Sequence, residues 1–103
     1  MIKIIYQTEG NIIKRIDICG HADYAEAGKD IVCASVSSIA ISSINAIILF
    51  DKDSISYEEG KHLVINNLKK DYITNNLLLN MINTFSELES NYPQNIKIRE
   101  EEI

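Results

Sequence analysis

Residues 2–19 read IKIIYQTEGNIIKRIDIC and contain two runs rich in β-branched residues, 2–7 and 12–19, separated by Thr-Glu-Gly-Asn. Two such runs joined by a short polar segment with a glycine are typical of a β-hairpin. The four isoleucines of the second run do not all fall on one face of a regular strand, a pattern compatible with a β-bulge. The chain is therefore expected to begin with two paired strands.

Four further elements are predicted between this hairpin and the C-terminal stretch. Residues 33–50 have apolar side chains on one side and serines on another at helical spacing. Asp30 is the expected N-cap of that helix, since its carboxylate can accept hydrogen bonds from the free N–H groups of the first turn. Residues 54–58 and 62–66 flank Glu-Gly-Lys and predict a second hairpin. The apolar periodicity of residues 71–92 predicts a second helix.

The last strand signal is the alternating stretch 96–99, which predicts a short edge strand. The acidic run 100–102 after it is expected to be a solvated tail. The order is then β-β-α-β-β-α-β, and the fold class is α+β: a mixed sheet of two hairpins and a C-terminal strand, with both helices on one side. A chain of 103 residues is expected to form a single domain, 1–103.

Composition restricts the partners and the compartment. Fifteen acidic against ten basic residues give a net charge of −5, so direct binding to a nucleic-acid backbone is not expected. Cys19 and Cys33 form no disulfide framework and the first residues lack a signal-peptide pattern, so a reducing cytoplasm is expected. Residues 31–50 carry no charge, but their serines and mixed flanks favour a buried core helix over a membrane span.

A loop over residues 20–32, GHADYAEAGKDIV, separates the first hairpin from the first helix and is long enough to suggest a function. Cys33 follows it in the first helical turn, where unpaired N–H groups and the helix dipole stabilise a thiolate. His21 can fold back across the loop and act as its base and acid. Gly20 and Gly28 permit backbone angles that other residues resist. One interpretation is therefore a Cys/His dyad, which needs no cofactor.

Two other interpretations stand beside this one. A cysteine that opens a helix is often a packed core residue, and Cys19 at a strand end has the same explanation. A zinc site is the second rival, because Cys19, His21, Cys33 and His62 offer soft ligands. The spacing is poor, with no C-x-x-C pair in the chain, and no metal is predicted. Nucleotide chemistry has no support, since no glycine-rich phosphate loop occurs.

Residues 20–40, GHADYAEAGKDIVCASVSSIA, resemble the signature of the Prp family, the ribosomal-processing cysteine proteases of certain bacteria. The resemblance rests on Gly-His-Ala, the later glycine, Asp-Ile-Val-Cys-Ala and the following Val-Ser. The order of strands and helices fits the family along the full chain. Ser35 departs from the family pattern, which commonly has alanine there, and this small change is not expected to affect the dyad.

The resemblance implies a cytoplasmic endopeptidase, usually a homodimer, that removes a short N-terminal extension from the large-subunit ribosomal protein numbered twenty-seven. By matched position, Cys33 is the nucleophile that forms a thioester acyl-enzyme, and His21 is its general base and acid. Asp30 and Ser37 have supporting roles, Asp30 capping the helix and ordering the loop, and Ser37 hydrogen-bonding near the thiol. Neither a cofactor nor a membrane is implied.

The reaction also requires donors for an oxyanion, and the backbone N–H groups of Cys33 and Ala34 at the helix start are the candidates. Gly20 and Gly28 support the loop, which is expected to close over an extended peptide. A second class of function remains open: a non-catalytic ribosome-associated module in which the same loop holds a peptide without cutting it. An acidic surface suits a basic ribosomal protein in both cases.

Overall fold

The computed structural model describes residues 1–103 and consists of a sheet and two helices. The elements in chain order are β1 (Ile2–Glu9), β2 (Ile12–Gly20), α1 (Ile31–Phe50), β3 (Ile55–Glu58), β4 (His62–Asn67), α2 (Tyr72–Asn91) and β5 (Ile96–Glu102). The predicted order and the α+β class are confirmed. Asp30 and Asp71 are the N-caps of the two helices, so α1 begins two residues earlier than its periodicity indicated.

The five strands form one mixed sheet in the order β3-β4-β2-β1-β5. Both hairpins are antiparallel, β2 pairs antiparallel with β4, and β5 runs parallel to β1 at the edge. The acidic residues 100–102 are exposed, as predicted, but they are not a tail, because β5 continues through Glu102. Glu100 lies opposite Tyr6 in the ladder and accepts a hydrogen bond from the Thr8 hydroxyl at 2.6 Å. Ladder pairing uses backbone groups, so exposed acidic side chains do not prevent it.

β2 contains the irregularity that its isoleucine pattern indicated. The register with β1 shifts so that Lys14 has no partner there. This extra residue changes the alternation of faces. As a result Ile13, Ile16 and Ile18 are all buried.

The core lies between one face of the sheet and the two helices. α1 meets the length and hydropathy criteria of a membrane-spanning helix, and in this fold its inner face packs into the core. The buried residues of the helices are Val32, Val36, Ala40, Ile44 and Ile47 in α1, and Thr74, Leu78, Met81, Ile82 and Phe85 in α2. The start of α1 thereby lies where β2 ends, beside the beginnings of β1 and β5.

Candidate active site

The loop between β2 and α1 is held by the carboxylate of Asp30. Its Oδ1 accepts hydrogen bonds from the N–H groups of Cys33 at 2.9 Å and Val32 at 3.0 Å. Its Oδ2 accepts from those of Tyr24 at 3.1 Å and Ala25 at 3.4 Å. The Cys33 N–H contributes most to holding the pKa of Asp30 below its ordinary value of 3.8, since these donors favour the charged carboxylate. One side chain therefore caps α1 and orders the loop.

Cys33 lies in the first turn of α1 with a free, half-buried thiol. Its Sγ accepts a hydrogen bond from the Ala22 N–H at 3.3 Å. The start of an α-helix carries a partial positive charge, and an N–H donor interacts more strongly with an anionic than with a neutral acceptor. Both features are typical of the surroundings of a nucleophilic cysteine.

His21 and Cys33 line the same cavity, which has a volume of about 680 Å³. Gly28, Asp30 and the exposed Ser37 also line it. The His21 side chain is exposed, so it is accessible to a ligand in the cavity. The structure thus brings together the residues that the sequence singled out in the loop and the first two turns of the helix.

The predicted oxyanion donors are both engaged within the chain. The Cys33 N–H donates to the Asp30 carboxylate, and the Ala34 N–H donates to the Asp30 carbonyl oxygen at 3.1 Å. An N-cap satisfies the first N–H groups that an uncapped helix leaves free. In this structure neither group is free to receive an oxyanion, and the N–H that contacts the sulfur belongs to Ala22.

Gly20 provides the turn from β2 into the loop. Its φ is +89°, and a Cβ added there would overlap the carbonyl oxygen of Met1. The left-handed conformation and the close approach of β1 both require glycine. Gly28 has a φ of +86° but open space around its Cα, so only its conformation favours glycine.

The two serines near the thiol have different surroundings. Ser37 lines the cavity together with Cys33, and its supporting role there stays a prediction. The Ser35 hydroxyl donates to the Ile31 carbonyl oxygen at 2.7 Å and faces a groove between α1 and α2. The residue that departs from the family pattern is therefore outside the lining of the Cys33 cavity.

The four soft ligands considered for zinc divide between two places. Cys19 and His62 are direct partners on β2 and β4, on the sheet face away from the helices, whereas His21 and Cys33 lie at the cavity. Asp17 joins the first pair, with its Oδ1 2.7 Å from the His62 Nδ1. One ligand atom from each of these three residues lies within 4.8 Å of the others. The four predicted candidates do not form one metal site.

Two residues beside the thiol had no role assigned from the sequence: Asn95, and Ala22, which only forms part of the Gly-His-Ala match. Ala22 supplies the N–H that contacts the sulfur, and the Asn95 Nδ2 donates to the Ala22 carbonyl oxygen at 2.9 Å. No local pattern marks this pair, because the fold brings the two together from opposite ends of the chain. Only their tertiary contacts identify them.

An α+β domain with a cysteine at a helix start and a histidine in the same cavity has the arrangement of a cysteine-dependent peptidase. The family model of the cysteine protease Prp matches residues 1–97. The chain belongs to this family of cysteine proteases.

Curated relatives agree with this assignment along most of the chain. The ribosomal processing cysteine protease Prp of Staphylococcus aureus is 33% identical over 101 residues, covering 94% of each chain. The Mycoplasma genitalium protein of the same name is 35% identical over 85 residues, covering 80% of this chain and 83% of the relative. Both are named for ribosomal processing.

Solved structures show the same fold. Prp from S. aureus, in complex with a covalently linked product peptide, has a TM-score of 0.92 and 26% identity, covering 98% of this chain and 100% of that one. A Streptococcus mutans protein has a TM-score of 0.87 and 22% identity, covering 100% of this chain and 96% of that one. The latter supports the fold alone.

Proposed function

We propose that this cysteine protease removes the N-terminal extension of the large-subunit ribosomal protein numbered twenty-seven, with Cys33 and His21 as a catalytic dyad. The observation that carries the proposal is the position of Cys33 in the first turn of α1, with His21 lining the same cavity. S. aureus Prp has been solved with a substrate peptide and with a covalently linked product peptide. Those complexes support an extended peptide as the ligand of this cavity.

The proposed reaction proceeds through a thioester. His21 takes the proton of the Cys33 thiol, and the sulfur attacks the scissile carbonyl carbon to form a C–S bond. Collapse of the tetrahedral adduct breaks the C–N bond, and His21 gives its proton to the leaving amine. Water, deprotonated by His21, then attacks the thioester carbonyl carbon, and collapse of this adduct breaks the C–S bond and releases the acid product. His21 returns its proton to the sulfur, which restores the thiol. Side chains of this chain and water complete the cycle without a cofactor.

The residues around the dyad have positioning roles in this proposal. Asp30 connects the loop to the helix that carries the nucleophile, and Gly20 directs the chain from β2 toward His21. Gly28 allows the loop to turn at the cavity rim, and Ser37 is available to a bound peptide. The net charge of −5 suits a basic ribosomal protein, and a reducing cytoplasm keeps the thiol free.

A homodimer is part of the proposal, and the structure offers a surface for it. Four large apolar residues are exposed where α1 ends and α2 begins: Leu49, Phe50, Tyr72 and Ile73. The Lys69–Asp51 ion pair joins the segments that precede α2 and follow α1, so these two helix ends are close together. Exposed apolar groups of this kind favour burial against a second copy. Cys33 lies at the other end of α1, so its cavity stays open in such a dimer.

Mass spectrometry of the ribosomal protein, expressed with its full extension, tests the activity. Incubation with the native protein is expected to produce one cut, and Cys33→Ala and His21→Ala are each expected to abolish it with unchanged circular dichroism. Cys19→Ala is the matched control and retains cleavage. Cleavage retained by either dyad variant overturns the dyad, and binding of the extension without a cut by the native protein indicates a peptide-binding module.

A further inference from the structure

We infer that Asn95 is a positioning residue that aligns the Ala22 N–H with the sulfur of Cys33. The inference rests on the proposed role of Cys33 as the nucleophile. The Asn95 Nδ2 donates to the Ala22 carbonyl oxygen at 2.9 Å, and the Ala22 N–H donates to Cys33 Sγ at 3.3 Å. The two bonds use the peptide groups on either side of the Ala22 Cα, so together they fix the orientation of this residue toward the thiol.

Asn95 is itself held firmly at the junction of three elements. Its N–H donates to the Tyr92 carbonyl oxygen at 3.0 Å, and its carbonyl accepts a hydrogen bond from the Ile2 N–H at 2.8 Å. It therefore lies where α2 has ended, β5 begins and β1 passes beside it. A side chain anchored on both sides by its backbone is a rigid support for the loop.

The Ala22 segment depends on such a support. Ala22 is 2% exposed, yet it follows Gly20, whose left-handed conformation redirects the chain away from the sheet ladder. Beyond Ala22, the Tyr24 ring packs edge-on against Tyr92 with centroids 5.4 Å apart. The end of α2 and the start of β5 thus hold the loop on one side, while Asp30 holds it from the α1 side.

The Ala22 N–H stabilises the anionic sulfur more than the neutral thiol, because charge-assisted hydrogen bonds are the stronger ones. Removing the Asn95 donor frees the Ala22 carbonyl and loosens the N–H from the sulfur. The nucleophile then forms less readily, whereas the cavity that binds the peptide keeps its lining. The expected signature is a loss in kcat with little change in KM.

Asn95→Leu removes the amide at similar size without adding a charge, and Cys19→Ser in all variants leaves Cys33 as the thiol to be labelled. The pH profile of Cys33 alkylation by iodoacetamide is expected to move to higher pH, and kcat for an extension peptide to fall about tenfold. Asn95→Gln keeps an amide donor, so its alkylation profile and its kcat are expected to lie between those of Asn95→Leu and the native protein. Should Asn95→Leu not fold, the comparison of Asn95→Gln with Asn95→Ala provides the same test.

Asn75→Leu is the matched control. Asn75 also holds a strand segment by two hydrogen bonds, from its Nδ2 to the Asn11 carbonyl oxygen and from the Ile13 N–H to its Oδ1, but at the β1–β2 turn, the end of these strands opposite to Ala22. Loss of the Asn75 amide is expected to lower the free energy of unfolding and to leave the pH profile of Cys33 alkylation unchanged. An unchanged profile in folded Asn95→Leu, or an equal shift in Asn75→Leu, overturns the inference. Because alkylation is read without cleavage, this outcome is separate from a failure of the proposed protease activity.

Discussion

The Oδ1 atom of Asp30 accepts a hydrogen bond from the Cys33 N–H at 2.9 Å. Its Oδ2 accepts from the Tyr24 N–H on the far side of the loop. The same carboxylate therefore determines where the helix begins and where the loop lies. This arrangement couples the position of Cys33, the proposed nucleophile, to the order of the segment that carries His21.

Replacing Asp30 separates these two functions. Asp30→Asn retains an oxygen for the helix N–H groups but turns the other acceptor into a donor, which faces the Tyr24 N–H without forming a bond. It is expected to lower cleavage more than stability, whereas Asp30→Ala loses both and lowers the melting temperature as well. Thermal unfolding and peptide cleavage, measured for both variants, test this difference between them. Equal loss of stability in the two variants would contradict the separate role of the loop bonds.

Acid is expected to destabilise the fold through Asp30 and two further aspartates whose carboxylates accept hydrogen bonds. The Cys33 N–H is the main cause of the lowered pKa of Asp30, the Lys69 hydrogen bond that of Asp51, and the Thr74 N–H that of Asp71. Because these pKa values lie below the ordinary 3.8, the carboxylates stabilise the fold fully above that pH, and the contribution is lost as the pH falls through the folded-state values.

Urea unfolding between pH 7 and pH 2.5 measures this effect. The midpoint is expected to fall in the acid part of the range, and Asp30→Asn is expected to show a smaller fall than the native protein. Glu59→Gln is the control, since this carboxylate lies in the exposed β3–β4 turn and accepts no hydrogen bond. A fall of native size in Asp30→Asn would show that the Asp30 bonds do not contribute.

Gly20 and Gly28 allow a comparison between the cost of a left-handed backbone conformation alone and the cost of that conformation together with a steric overlap. Both have a positive φ, but only at Gly20 would a Cβ meet backbone, the Met1 carbonyl. Gly28→Ala is expected to cost about 1–2 kcal/mol of unfolding free energy from its conformation, and Gly20→Ala more, because β1 must also move. Urea denaturation of both variants gives the two values. A smaller cost at position 20 would mean that the strands separate easily there.

The order of elements was predictable because each element has a local pattern. The two hairpins follow from their β-branched runs and turns, and the start of α1 follows from Asp30 and the uncharged stretch after it. β5 was predicted too short, since its extension depends on pairing with β1 from the opposite end of the chain. Its acidic residues resemble those of a solvated tail, and only the neighbouring strand makes them part of the sheet.

The candidate site likewise has some residues that local sequence patterns predict and others that only tertiary contacts identify. His21, Asp30 and Cys33 occur within thirteen residues, so their types and spacing could be read together as one motif. The N-cap at Asp30 was predictable from the sequence, but the Cys33 and Ala34 N–H groups are not the free oxyanion donors that were predicted, because the cap residue accepts a hydrogen bond from each of them. The Asn95–Ala22 contact had no local signal at all.

The exposed apolar end of α1 leads to a prediction about assembly. Leu49 is 87% exposed, and Leu49→Lys is expected to convert a dimer into a monomer at micromolar concentration, since burying a lysine against a second copy is unfavourable. Ile41→Lys is the control, because Ile41 is exposed on the same helix but away from this end. Sedimentation velocity measures the oligomeric state of the native protein and of both variants. A dimer that survives Leu49→Lys would place the contact elsewhere, and a native monomer would exclude it.

Cys19 gives the most direct check on which thiol reacts. It lies beside His62, whose Nδ1 is bonded to Asp17, so the open sheet face also holds a cysteine, a histidine and an aspartate. Cys33 has in addition the helix start and the Ala22 N–H, and it is expected to react faster with iodoacetamide near pH 7. Peptide mapping after brief labelling measures both rates.

The two histidines give a second comparison between the Cys33 cavity and the cluster on the open sheet face. His62→Ala is expected to leave cleavage of the extension unchanged, because the Cys19 thiol is not at a helix start and the proposed nucleophile is Cys33, at the start of α1. His21→Ala is expected to abolish it. Faster labelling of Cys19, together with loss of cleavage in Cys19→Ser and His62→Ala, would move the nucleophile to the open face of the sheet.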